Sequence, residues 1–146
     1  MKREVSHLEK YRFVLETQEQ KLMRQIANNQ KKWEQEKGKH EMLNHCLSET
    51  QSNLQTLANN HISSMQYQQF QHFIFQLEKA IMMQNEVLNN HQKQHVDFIA
   101  QYQTLKVKRN NLQELINNIQ KSNQFHENRK ENQENTEIFN RLKPYQ

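Results

Sequence analysis

A long helical repeat of apolar side chains, with almost nothing to interrupt it, constrains this chain more than any other feature. Between Val5 and Leu57 apolar residues recur at alternating steps of three and four, and the 146 residues include only one glycine, Gly38, and one proline, Pro144. This spacing is typical of a coiled-coil helix, whose recurring positions form a seam against a second helix. The seam positions of this first helix are Val5, Leu8, Arg12, Leu15, Glu19, Leu22, Ile26, Asn29, Trp33, Glu36, His40, Leu43, Leu47, Thr50, Leu54 and Leu57.

A second seam follows one candidate turn. Asn59 and Asn60 tolerate left-handed backbone, and Ser63 with Gln66 three residues later has the pattern of a capping box at a helix start. We therefore expect helix 1 over about residues 3–58, a turn at about 59–64 and helix 2 over about 65–125. The seam positions of the second helix are Ile74, Leu77, Ile81, Gln84, Leu88, His91, His95, Phe98, Tyr102, Leu105, Arg109, Leu112, Ile116 and Ile119.

The two seams predict an all-α fold, a long two-helix antiparallel coiled-coil hairpin in a single domain over residues 1–146. Helices of matched length joined by a short turn favour antiparallel pairing. The segment Leu8–Leu22 is then expected to lie beside Leu112–Ile119.

A polar C-terminal extension is expected after the second helix. Residues 126–146 are rich in charged and amide side chains, and they are a candidate for further helix. A small apolar patch, Ile138, Phe139 and Leu142, precedes Pro144, which ends any helix. We expect this tail to extend beyond the paired helices, and whether it is ordered without a partner stays open.

Composition limits the classes of function that such a chain can have. Only 34% of residues are hydrophobic, so a compact globular core is not expected. Two paired helices enclose little volume, which argues against a pocket that desolvates a substrate and favours binding of other proteins. Lone Cys46 cannot form an internal disulfide, which fits a reducing compartment. We find neither a cleavable signal nor a long apolar run, and we therefore expect no secretion and no membrane span.

Motifs that carry catalytic or metal chemistry are scarce. His91 and His95 have the spacing of two metal ligands on one helix face, and Cys46 lies beside His45 and near His40, but neither group supplies a full ligand set. Because His91 and His95 fall on the seam, we interpret them as polar layers of the helix pair. A single glycine excludes a phosphate-binding loop of the Walker type. The sequence therefore predicts no enzyme and no cofactor.

One segment of helix 2 is more apolar than a two-helix seam requires. Phe73, Leu77, Ala80 and Gln84 lie at i, i+4, i+7 and i+11, a stripe that shares Leu77 with the seam but is offset from it. The alternative is that the apolar residues of this segment, Phe70 and Met65 in particular, close the end of the hairpin. Phe75, Met82 and Met83 cannot all point inward as well, so some apolar surface is expected to remain for a partner.

At this segment the sequence resembles a known family. Residues 67–81 read Tyr-Gln-Gln-Phe-Gln-His-Phe-Ile-Phe-Gln-Leu-Glu-Lys-Ala-Ile. This run is similar to the central motif of the flagellar type III export protein FliJ, whose enterobacterial members carry Tyr-Gln-Gln-Phe-Ile and Leu-Glu-Lys-Ala-Ile. Further matches in order and spacing extend over most of the chain, at 42–43, 53–54, 88–97, 112–113, 127–129 and 137–139.

The resemblance implies a fold and a set of partners. FliJ proteins are two-helix antiparallel coiled coils similar to the stalk of the rotary ATP synthases. They insert between subunits of the hexameric export ATPase, contact the large export-gate membrane protein and handle empty substrate chaperones. The resemblance thus implies a non-enzymatic stalk at the cytoplasmic face of the cell membrane, with its ATPase contact near both termini.

The resemblance also implies positions for the contact with the export gate. They are Leu43 in the first helix and Phe73, Leu77, Ala80 and Gln84 in the second. Gln84 stands where the enterobacterial relatives have histidine. Cys46 and Thr50 stand where those relatives have tyrosines, so the first helix departs from the family pattern.

Two other functions stay open on the residues alone. The net charge is +4, and Lys31, Lys32, Lys106 and Lys108 are among the basic residues that could contact the phosphates of a nucleic acid or an anionic membrane surface. Acidic residues are interleaved with these lysines, which favours a solvated, salt-bridged face and predicts no nucleic-acid partner. A generic dimerisation rod is the third interpretation.

Overall fold

The chain forms two long helices in the computed structural model, which describes residues 2–142. Helix α1 spans Lys2–Asn59 over 58 residues, and helix α2 spans Ser64–Leu142 over 79 residues. Gly38 lies inside α1 without a positive φ and with no heavy atom near the place of a missing Cβ. One glycine in open space does not interrupt a helix whose other residues are mostly good helix formers.

The connection between the helices is short and is closed by a capping box. The Gln66 N–H donates to Ser63 Oγ at 3.2 Å, and the Ser63 N–H donates to Gln66 Oε1 at 3.4 Å, as the sequence predicts. The left-handed residue, however, is His61 with φ 59°, rather than Asn59 or Asn60. Asn59 is still helical and the Asn60 N–H closes a turn onto the Leu57 carbonyl, so the reversal falls one residue later.

The chain divides into two compact units, and each contains a stretch of both helices. In the first, which combines α1 up to Lys21 with α2 from Tyr102 onward, Leu15, Leu112 and Ile116 form the core. Partly buried side chains pack against this core, namely Val5, Leu8 and Leu105. The expected neighbourhood of Leu8 and Leu15 with Leu112 and Ile116 is therefore found.

The second unit spans Leu22–Gln101 and has a more polar seam. Leu22, Leu54 and Leu77 are buried, and so are the polar residues Asn29 and Thr50. In each unit the pairing runs antiparallel, because residues farther along α1 contact residues earlier in α2. The predicted all-α class of two long paired helices is confirmed, and every seam position named above is buried or half-buried.

Helix α2 continues well past the expected end near residue 125. All residues of 124–142 are helical and exposed, including Phe125, Ile138, Phe139 and Leu142. The reason for the longer helix is local, because residues 126–142 contain neither glycine nor proline and include four Glu and two Arg, which are good helix formers. Pro144, the expected helix stop, lies outside the described residues, and the single domain over 1–146 stays a prediction.

Candidate protein-binding face

The five residues expected to contact the export gate all lie in the Leu22–Gln101 unit, with different degrees of exposure. The Phe73 side chain is 45% exposed, whereas Leu77 is only 8% exposed and belongs to the seam. Ala80, Gln84 and Leu43 are half-buried. Of the five residues, Phe73 is therefore the most accessible to a partner, whereas Leu77 is part of the buried seam.

Phe73 borders a shallow apolar groove near the turn. The groove is also lined by Leu57, Ile62, Gln66, Gln69 and Phe70. Phe70 is half-buried there, in agreement with its proposed role in closing this end of the helix pair. Met65 is 70% exposed, so the same interpretation is wrong for Met65.

Gln84 is fixed by the first helix rather than free to meet a partner. Its Nε2 donates to the Glu36 backbone carbonyl at 3.0 Å and also to the Glu36 carboxylate. Lys39 Nζ lies 3.2 Å from the other carboxylate oxygen of Glu36. The Gln84 amide first, and Lys39 second, hold the pKa of Glu36 below its ordinary value because they stabilise the charged form.

The first-helix side of the predicted face is small and partly hidden. The Thr50 hydroxyl is turned inward and donates to the Cys46 carbonyl at 2.7 Å. Thr50 itself is 8% exposed, and Cys46 and Leu43 are half-buried. Side chains of this size cannot reach as far as tyrosines at the same positions, so α1 contributes less apolar surface here than α2.

Several apolar side chains of this segment remain at the surface, as the sequence predicts. Phe75, Met82 and Met83 are exposed by 61%, 72% and 62%. At about 100° per residue, Phe75 lies about 160° around α2 from Phe73, and Met82 lies about 100° from Met83. The exposed apolar residues thus belong to two different sides of one helix.

Two polar pairings in the seam are not predicted from the sequence. Asn29 is 6% exposed, its Nδ2 donates to the His91 carbonyl, and its Oδ1 accepts from His91 Nδ1 in the tautomer protonated there, both at 2.9 Å. In the other unit Arg109 Nε lies 3.1 Å from a carboxylate oxygen of Glu19, a residue 5% exposed, although the N–H is not directed at that oxygen. All four residues are seam positions, but their pairing depends on the alignment of the two helices, which no spacing within one helix reveals.

The arrangement can bind a protein surface through its exposed apolar side chains. In the part of the chain from 2 to 142 no three His, Cys, Asp or Glu side chains converge as metal ligands. His40 Nδ1 and His95 Nδ1 are buried and have no hydrogen-bond partner among those residues. Within the same range neither helix has an apolar stretch sufficient to cross a bilayer.

The basic residues are partly engaged within the chain. Lys39 pairs with Glu36, and Lys37 Nζ lies 5.0 Å from the centre of the Trp33 ring. Arg109 pairs with Glu19 in its own unit. Cations that already have intramolecular partners contribute less to an open patch for phosphates.

The comparison with family models gives a match that spans nearly the whole chain. The family model described as Flagellar FliJ protein matches residues 7–142. No curated protein and no solved structure matches the chain. The matched residues include both helices, the turn and the exposed end of α2. The chain therefore belongs to the flagellar FliJ protein family.

Proposed function

We propose that this member of a flagellar export-associated family is a non-enzymatic stalk that binds the hexameric export ATPase and couples it to the export gate. The observation that carries the proposal is the family match over 7–142, which takes in both helices. The paired helices support it physically, because they present long surfaces and their grooves are open rather than enclosed. The stalk works in the cytoplasm, at the inner face of the cell membrane.

The ATPase contact lies in the unit that contains the start of α1 and the end of α2. Residues 124–142 of that unit contribute no buried side chain, and they expose Phe125, Ile138, Phe139 and Leu142. Large apolar residues on an exposed helix are typical of a surface that another protein covers. These residues form an apolar helix face that the ATPase contacts.

The gate contact lies in the other unit, on the stripe of Phe73, Leu77, Ala80 and Gln84 together with Leu43. Phe73 is the direct anchor, since it is the largest of these side chains and the most exposed. Leu77 and Gln84 hold α2 against α1 and so fix the position of Phe73. Empty substrate chaperones are further partners, which the stalk escorts.

The test is stimulation of the cognate export ATPase by the full chain and by a variant that lacks residues 124–146. The deletion leaves the Leu15, Leu112 and Ile116 core in place, so the remaining helices are expected to stay paired. We expect stimulation of ATP hydrolysis to be lost while circular dichroism shows a helical protein. Met82→Glu is the control, because it adds a charge to an exposed position in the other unit.

The competing functions give different results in the same series. A nucleic-acid-binding coiled coil would bind any duplex, and its affinity would fall steeply with added salt. A generic dimerisation rod would self-associate and leave the ATPase unaffected. ATPase stimulation that survives the deletion would contradict the assignment of the ATPase contact to the end of α2.

A further inference from the structure

One side of α2 carries an exposed row of uncharged residues that extends beyond the expected gate contact. Phe73, Ala80, Met83 and Val87 lie at i, i+7, i+10 and i+14, so they fall within about 80° of arc on the helix surface. We call these four residues the α2 flank. Phe73, Met83 and Val87 are 45%, 62% and 37% exposed, and Ala80 is half-buried.

The row that contains the α2 flank is free of charge for about seven turns of helix. Its members at alternating steps of four and three are Gln69, Phe73, Gln76, Ala80, Met83, Val87, Asn90 and Gln94. The charged residues of this part of α2 are Glu78, Lys79, Glu86 and Lys93, and none of them belongs to the row. A solvated helix face normally mixes charges of both signs, whereas an uncharged row with apolar members is typical of a surface that desolvates.

We propose that the α2 flank is one continuous docking surface for the export-gate membrane protein, with Met83 and Val87 as contact residues beyond the predicted set. This inference rests on the proposed gate contact, because Phe73 and Ala80 belong to both. The additional residues lie one and two turns beyond Ala80, where Gln84 turns away toward Glu36. Docking then continues along the exposed row instead of following the seam.

The gate protein is favoured over a second copy of this chain as the occupant. A stable dimer buries about 800 Å² on each partner, and four side chains in a single row supply only a small part of that area. A larger partner that also covers α1 around Leu43 can supply the rest. Met83 suits such a contact because its flexible thioether adapts to an irregular apolar surface.

Adjacent residues provide matched controls. Met82 is a methionine next to Met83 with similar exposure, and it lies about 140° from the centre of the α2 flank. Phe75 is two residues from Phe73, is more exposed and faces the opposite side. Met83→Glu against Met82→Glu, and Phe73→Ala against Phe75→Ala, compare equal chemistry on different sides of the helix.

The experiment measures binding of each full-length variant to the detergent-solubilised cognate gate membrane protein. We expect Met83→Glu and Val87→Glu to weaken binding by about tenfold or more, because each puts a charge into an apolar contact. Met82→Glu and Phe75→Ala are expected to bind like the wild type. All variants are expected to keep the wild-type melting temperature, since the substituted side chains lie outside the seam. Met83→Ala is the milder variant if Met83→Glu fails to fold.

The outcomes separate this inference from the proposed function. Loss of binding by Phe73→Ala with wild-type binding by Met83→Glu and Val87→Glu would keep the gate contact and overturn its extension. Wild-type binding by all of these variants would overturn the gate contact itself. Loss of chaperone binding or of self-association by Met83→Glu, with gate binding intact, would show that the α2 flank has a different occupant.

Discussion

The two units use the same pair of helices but fill their seams differently. In the unit with the start of α1 and the end of α2, Leu15, Leu112 and Ile116 form an apolar cluster, and Glu19 and Arg109 form a polar pair in the same seam. In the Leu22–Gln101 unit, directional bonds between the helices join Asn29 to His91 and Glu36 to Gln84.

Apolar burial supplies free energy without specifying alignment, because it is not directional. A polar layer contributes less free energy but penalises every alignment that leaves its donors and acceptors unpaired. We infer that the apolar cluster of the first unit mainly stabilises the paired helices, and that polar layers such as Asn29–His91 and Glu36–Gln84 mainly set their register.

The largest expected effect is that of a charge in the apolar cluster. Leu15→Asp places a carboxylate at a site that is 3% exposed and packed against Leu112 and Ile116, where the charge loses most of its hydration. We expect a loss of about 3 kcal/mol or more in the free energy of unfolding. Urea denaturation followed by circular dichroism measures it. Phe13→Asp is the control, since Phe13 is 68% exposed, and a comparable loss there would contradict the role of the cluster.

An intermediate effect is expected when one member of a polar layer is removed. Asn29→Ala leaves the Nδ1 of His91 without its partner in a half-buried site, which should cost about 1–3 kcal/mol. The double replacement of Asn29 and His91 by leucine should cost less, or even stabilise, while it relaxes the alignment. Disulfide cross-linking between cysteines introduced on the two helices measures alignment. A single cross-linked register in the double variant would show that this layer does not set the register.

The smallest expected effect is a pH dependence of the Glu36 layer. Since the pKa of Glu36 is lowered in the folded chain, its charged form stabilises the fold at pH values above the ordinary glutamate pKa. This contribution is lost as the pH falls from that value through the folded pKa. Thermal melting between neutral and acidic pH should show a smaller decrease for Glu36→Gln than for the wild type. Identical melting temperatures of the two proteins at every pH would show that the Glu36 carboxylate does not contribute to the pH dependence of stability.

The sequence predicts which residues lie in the seam but not which of them meet. Steps of three and four identify Leu15 and Ile116 as inward residues because the helical period alone places them on one side. The bond from Asn29 to His91 depends on how far one helix is shifted along the other, and that shift is a property of both helices together. The same limit applies to Glu19 and Arg109.

Local features of the backbone are also only partly predictable from the sequence. The capping box at Ser63 is visible in the sequence because a few adjacent residues determine it. The left-handed residue at His61 is not, since the end of α1 decides which residue reverses the chain. For the candidate site, the offset of the stripe places Phe73 outside the seam, and its side chain is 45% exposed, but Gln84 is held by a bond to Glu36 that is visible only in the structure.

The exposed end of α2 has a consequence for how a partner can be held there. A separate helix in water must first nucleate one hydrogen-bonded turn, and that step is unfavourable. Residues 124–142 do not carry that cost, since they continue a helix whose preceding turns are fixed by Leu112 and Ile116. Each further turn extends a helix that is already nucleated, which costs less free energy than starting a new one. A protein that grips this segment therefore meets a helix that is already formed, and little of the binding energy is spent on ordering it.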